Sequence, residues 1–331
     1  MKYCVTGATG FIGSHLTRKL LAAGHQVHAL VRSESRAGEL VKMGARSYVG
    51  DITDKNSLRE PMAGCDGVFH AAAWYRIGDR NPKVAHTINV QGTHNVLETM
   101  RELAIPKVVY TSTLAVFSDT RGKLVDETYF HCGPFLSEYD RTKWEAHYRV
   151  AIPMIKDGLP LVIVQPGVVY GPGDLSPIRE ALVQYLKRKL PIIPKQTAFC
   201  WAHVEDTVDA HILAMEKGRC GESYIVAGPP HTFEAVFDLA ESITGIRATR
   251  VRPSPGIVRA MAAAMTLVGT VVPLPPSYSA ESLRVMAGST YLGDNSKARR
   301  ELGFRPRALP EGLKETLRYE MKLLGMKTPN D

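Results

Sequence analysis

The sequence predicts an α/β protein: a doubly wound parallel sheet carrying a smaller, mainly helical C-terminal lid. Three observations predict it. Short apolar runs alternate with helical ones through the first half of the chain. Those runs are apolar throughout rather than at every second residue, as strands covered on both faces must be. A glycine-rich turn joins the first run to the first helical segment, the usual opening of a βαβ array.

In order, KYCVTGA (2–8) reads as a strand and FIGSHLTRKLLAAG (11–24) as a helix whose apolar spacing stops at Gly24. QVHALVR (26–32), SYVGD (47–51) and GVFHAAA (67–73) are further strands. A helix from about Val84 to Leu103 leads to the strand KVVYTST (107–113). The segment YDRTK (139–143) lies on a helix, and LVIVQPGVVYG (161–171) is the next strand. Residues 1–170 are therefore assigned to the sheet and 171–331 mostly to the lid, where prolines multiply and no regular strands separate the helices. One stretch near 200–230 is expected to return to the sheet: WAHVEDTVDAHILAM (201–215) as a helix entry, then the strand-like SYIVAG (223–228).

Composition narrows the function. The chain of 331 residues is 44% hydrophobic and 22% charged, an ordinary globular balance. Its net charge of +8 suits anionic ligands, but the basic residues are scattered, which speaks against nucleic acid as a partner. Five cysteines without CxxC spacing predict a reducing, cytoplasmic setting and no disulfide framework. An apolar strand begins almost at the first residue, so no signal peptide is expected. The apolar stretch 260–272 is too short to span a bilayer, so no stable membrane insertion is expected. His70 and His203 have no partners at ligand spacing; they read as hydrogen-bonded strand-end residues, and no metal is implied.

The chemistry is carried by several motifs. TGATGFIG (6–13) sets Gly7, Gly10 and Gly13 between strand and helix. There, glycines let backbone N–H groups approach a pyrophosphate at the positive end of the helix dipole. The strand VHALVR ends in Arg32 rather than an acid, with Ser33 and Arg36 close by; Glu34 falls beyond its end. An arginine there suits a 2′-phosphate, which favours NADP(H) over NAD(H), though the fold accepts either. In GDITD (50–54), Asp51 could receive the adenine amino group and Ile52 could pack on the ring; equally, Asp51 or Thr53 could cap a helix.

TGATGFIG, GDITD, VFHAAA, NVQGT (89–93), TST (111–113), YDRTK and QPGVVYGPGD (165–174) together resemble the extended short-chain dehydrogenase/reductases. Their order is similar to that of the NAD(P)-dependent epimerase/dehydratase group, most of all its dihydroflavonol 4-reductase and 3β-hydroxysteroid dehydrogenase members. Hopanoid-associated sugar epimerase homologues look similar too. The resemblance covers nearly the whole chain, including DNSKARRELGFRP (294–306). It implies a Rossmann domain and a catalytic triad of Thr113, Tyr139 and Lys143, with Ser112 as the alternative to Thr113. It also places cofactor contacts at Thr9, Phe11 and Ile12 of the glycine turn, at Ala71, Ala72 and Ala73, and at Pro166, Gly167 and Val168. Many relatives carry arginine where this chain has Gln165. Asn89 is implied to be either an active-site or a structural polar residue, and a homodimer is the usual assembly.

The triad makes chemical sense. Hydride moving to or from a carbon that bears oxygen needs a proton at that oxygen, and a phenol near pKa ~10 holds its proton too firmly unless a cation favours the phenolate. Residues four apart share a helix face, so Lys143 can serve Tyr139. The substrate side is read as Trp74, Tyr75, Phe135, Trp201 and the apolar stretch 257–272. These lead to an NADP(H)-dependent ketone reductase or alcohol dehydrogenase for a small, apolar, cyclic substrate. A nucleotide-sugar epimerase or dehydratase using NAD is the first alternative, and a non-catalytic dinucleotide sensor the second.

Overall fold

The computed structural model describes residues 1–78, 81–268 and 279–327. Seven parallel strands form the main sheet: β1 (Lys2–Thr6), β2 (Gln26–Val31), β3 (Arg46–Val49), β4 (Gly67–His70), β5 (Val108–Thr111), β6 (Leu161–Pro166) and β9 (Ser223–Val226). Their spatial order is β3-β2-β1-β4-β5-β6-β9, so chain direction across the sheet reverses between β1 and β4. The crevice for a ligand opens at that reversal, outside the carboxyl ends of the strands.

Both faces of the sheet are covered, which explains the continuous apolar runs. Val5, Ala29 and Phe69 face one way, packing with Leu16 and Leu20 of the helix Phe11–Ala22 and Val208 of the helix Val204–Lys217. Cys4, Leu30 and Val68 face the other, against Val96, Leu97 and Met100 of the helix Gly92–Glu102.

The returning segment is β9, paired in parallel with β6 from Ile163↔Ser223 to Pro166↔Val226. Three readings from the sequence need correction. Trp201–His203 finish a strand, β8 (Ala198–His203), before the helix begins at Val204. LVIVQPGVVYG is two strands: the chain leaves the main sheet after Pro166, and β7 (Val168–Tyr170) pairs with β8 instead. The lid also holds strands as well as helices, since β7, β8, β10 (Pro230–Thr232) and β11 (Thr290–Tyr291) make a second, four-stranded sheet. Strands of three and two residues are too short to show a period of two.

The lid has its own apolar core, in which Leu182, Tyr185, Phe199, Phe237, Leu313 and Leu317 are buried together. The apolar stretch 257–272 lies on the helix Pro255–Val268 as far as its last residue; 269–272 fall outside the described residues. Among the described residues, no helix is long and apolar enough to cross a membrane.

Candidate active site

Two backbone turns nearly touch where the strand order reverses. Gly7 has φ +72°, and a Cβ on it would stand 2.7 Å from the Ala72 nitrogen. Glycine is required there twice over, by conformation and by space. A Cβ on Gly13 would lie 2.0 Å from the Gly7 carbonyl oxygen, so this third glycine seats the helix on the turn and does not line the cavity. Gly10 caps the helix Phe11–Ala22 without a side-chain bond, leaving first-turn N–H donors for an anion.

A cavity of about 1090 Å³ extends from this crevice. Gly7, Thr9, Gly10, Phe11 and Ile12 line it, as do Arg32, Asp51 and Ile52. Ala71, Ala72, Ala73, Pro166, Gly167 and Val168 line it as well, as do Thr113, Tyr139 and Lys143. The glycine cradle, the uncapped helix start and the basic end of β2 fit a nicotinamide dinucleotide. Neither Arg32 nor Arg36 makes an ion pair with a described residue, and both line the cavity. Asp51 also faces the cavity, but its Oδ1 accepts from the Thr53 nitrogen and hydroxyl at 2.9 Å each. The following helical turn is capped by Asp54, not by Asp51 or Thr53.

Ser137 starts the helix Glu138–Glu145, its hydroxyl accepting from the Asp140 nitrogen at 3.0 Å. At the second residue of that helix, the Tyr139 ring meets the Tyr75 ring edge-on at 4.8 Å. Burial foremost, then the neighbouring Tyr75, pushes the Tyr139 phenol above its ordinary value, while its bond with the Thr113 hydroxyl pulls the other way. Lys143 is fully buried and donates to the Thr111 carbonyl at 2.8 Å and the Tyr110 hydroxyl at 3.1 Å. Burial lowers its ammonium to about 7.

Thr113 stands beside Tyr139, and its hydroxyl also accepts from the Ala115 nitrogen at 3.1 Å. Ser112 lines the cavity too, but its hydroxyl is engaged by His147 Nδ1 at 2.8 Å. Asn89 plays the structural part. Its Oδ1 accepts from the Trp74 nitrogen at 2.7 Å, and its amide donates to the Trp74 carbonyl at 3.1 Å and Thr142 at 3.0 Å. It thereby pins the segment after β4 to the helix Glu138–Glu145. Asn89 sits in a π-helical turn, Thr87–Gln91, that rotates it inward.

Trp74 and Tyr75 line the cavity; Phe135 and Trp201 do not. Phe135 packs 5.7 Å from the Trp144 ring, and Trp201 is buried in the lid against Tyr170 with its Nε1 donating to the His231 carbonyl at 3.3 Å. Both are packing aromatics rather than substrate walls. The lid instead supplies Ile178, Phe199 and Met286, which sequence pattern alone did not single out, together with Met261 from the apolar stretch 257–272, and Leu114 joins them from the turn after β5. Gln165 is buried away from the cavity, and its amide atoms find no partner among the described residues. His70 bridges Thr6 and Thr93, while His203 caps the helix it precedes, its ring accepting from the Glu205 nitrogen at 3.3 Å.

Comparison with known proteins agrees with this geometry. Residues 3–227 match the NAD dependent epimerase/dehydratase family. A Synechocystis protein provisionally named as a dihydroflavonol 4-reductase is 30% identical over 325 residues, 96% of this chain and 94% of that protein. Sterol demethylase protein B of Methylococcus capsulatus is 30% identical over 314 residues, 92% of this chain and 94% of that one. Among solved structures, that of gox2253 superposes with a TM-score of 0.83 at 28% identity, covering 98% of this chain and 99% of the other. The chain belongs to the NAD dependent epimerase/dehydratase family and is an NAD(P)-dependent oxidoreductase of the extended short-chain dehydrogenase/reductase type.

Proposed function

We propose that the protein is an NADP(H)-dependent reductase of an apolar, ring-fused ketone, with Tyr139 as the proton donor. The observation that carries this reading is the position of Tyr139. It is a partly buried phenol whose proton is held more tightly than usual, in a cavity bounded by the glycine cradle and by apolar lid residues. Two of the similar proteins are named for a dihydroflavonol and a sterol, both ring-fused molecules.

A bound nicotinamide dinucleotide supplies the hydride. The chain's own residues do the rest. Thr113 and Tyr139 hold the substrate carbonyl oxygen through their hydroxyls, and as that oxygen gains negative charge the Tyr139 Oη–H bond passes its proton to it. Lys143, as an ammonium, favours the phenolate that remains. Trp74, Phe199 and Met286 exclude water and strengthen these charge interactions. Arg32 and Arg36 are the candidates to receive a 2′-phosphate bidentately.

The experiment follows NADPH absorbance with dihydroflavonols, 3-ketosteroids and UDP-hexoses, together with product analysis. Stoichiometric loss of NADPH with a ring-fused ketone, abolished in Tyr139→Phe while NADPH still binds, is expected. Sugar interconversion without net cofactor change, or full activity of Tyr139→Phe, would sink the reading.

A further inference from the structure

One lid carboxylate, which the proposed chemistry leaves unused, reaches two other walls of the cavity. Glu281 sits in the first turn of the helix Ala280–Val285, whose Leu283 and Val285, with Met286 just beyond, line the cavity. Its two oxygens serve two different parts of the chain: Oε2 accepts from the backbone nitrogen of Gly78, and Oε1 from that of Glu138. Gly78, at φ +81°, turns the chain at the end of the segment that carries Trp74, Tyr75, Arg76 and Ile77 along the cavity. Glu138 is the first residue of the helix that carries Tyr139 and Lys143.

Both the position and the residue type have physical reasons. The first N–H groups of a helix have no partner within it, and a carboxylate beside them also meets the positive end of the helix dipole. Ser137 satisfies the Asp140 nitrogen from the same chain turn, whereas Glu281 reaches across from the lid to the Glu138 nitrogen. The Glu138 carboxylate is turned to Arg141 instead, at 2.8 and 3.0 Å. Both groups that Glu281 meets are donors, and an ionised carboxylate only accepts. Glutamine would keep the length but aim its own NH2 at one of the two N–H groups. The two segments so joined also touch directly, where the Tyr75 ring meets the Tyr139 ring at 4.8 Å.

We propose that Glu281 is a positioning residue: from the lid it fastens the end of the Trp74–Gly78 segment to the start of the Tyr139 helix, and so holds the Tyr75 ring against the Tyr139 ring. Asn89 fastens the same segment at Trp74, so Tyr75 is held from both sides. Because three walls meet at one carboxylate, a lid that moves away releases the other two together. The charged groups around the carboxylate are Arg284, one turn along its own helix, and Glu138 and Asp140 on the facing helix. Burial, above all, pushes the Glu281 carboxyl above its ordinary value.

This rests on the site proposed for Tyr139, but its first test needs neither substrate nor cofactor, so the two fail separately. The protein is labelled with 15N, and the Gly78 and Glu138 amide resonances are followed with pH. A carboxylate that accepts from both amides draws both proton signals downfield. Both should therefore step upfield as pH falls, with one shared midpoint, and the shared step should be lost in Glu281→Gln. Absence of a shared step in the parent, or its persistence in Glu281→Gln, overturns the proposal. If that variant does not fold, the parent's two midpoints decide alone. In turnover, Glu281→Gln should raise KM for the ketone about 10-fold, the worth of one hydrogen bond to a charged group, and lower kcat less. The NADPH dissociation constant should not change. A loss confined to kcat or to NADPH binding would overturn the proposal as well.

Discussion

The Tyr291 hydroxyl donates to the Asp140 carboxylate at 2.9 Å, joining a two-residue lid strand to the residue that follows Tyr139 on the helix Glu138–Glu145. Ser137 and Ser118 donate to the same carboxylate at 2.6 and 3.1 Å. Burial nonetheless raises the Asp140 carboxyl to about 7, from an ordinary 3.8, against the pull of those donors. Tyr291 also lines the cavity and stacks on Phe199, so this carboxylate sets a cavity wall relative to Tyr139.

Asp140 therefore gives stability a definite slope. The folded state binds a proton more tightly than the unfolded chain, so the contribution present near pH 4 is lost as pH rises towards about 7. Asp140→Asn should remove that slope: its Tm, compared with the parent's, should gain steadily between those pH values. Parallel Tm curves would count against this. Tyr291→Phe should cost about 1 kcal/mol in denaturant unfolding and raise KM more than it lowers kcat.

Lys143 has the opposite sign. Its ammonium falls to about 7 in the fold, from 10.5. The unfolded chain binds more protons between those values, so this group's contribution to stability grows as pH rises through them. Lys143→Met should show its largest Tm advantage over the parent at or below neutral pH, and the advantage should shrink as pH approaches 10. Calorimetry across that range checks it; a constant gap would contradict it.

Asn89 is a pure clamp. Asn89→Ala deprives both backbone groups of Trp74 of their partners, and should cost about 2–3 kcal/mol in unfolding free energy. Because Trp74 and Tyr75 follow the clamp into the cavity, KM for the ketone should rise while the dissociation constant for NADPH stays put. Weakened cofactor binding instead would point to a contact with the dinucleotide.

Arg32 discriminates cofactors if the charge at the end of β2 is used. Arg32→Ala should weaken NADPH binding by about 10-fold or more, the worth of a charge-assisted pair, and leave NADH within about 2-fold. Fluorescence titration with each cofactor reads it directly, and equal losses for both would remove the basis for preferring NADP(H).

The sequence by itself determined whatever is local. The strands β1 to β5, the glycine turn, the helix of Tyr139 and Lys143 and the return of the chain near Ser223 were all legible. Hydrophobic period, glycine and helix spacing act over a few residues and leave their mark in order. Only the tertiary structure decided the rest. Gln165-Pro166-Gly167 looked like the middle of one strand, yet a Cβ at Gly167 would stand 2.0 Å from the Cys200 carbonyl, and that close crossing is what sends β7 to another sheet. Phe135 and Trp201 were indistinguishable from cavity aromatics, because an aromatic side chain carries no local sign of what it will face. Tyr110, read as one more apolar strand residue, accepts from Lys143, 33 positions away in the chain, at 3.1 Å. Asp140 found Tyr291 across 151 residues. Such pairings depend on where the lid folds back, and no window along the chain contains both partners.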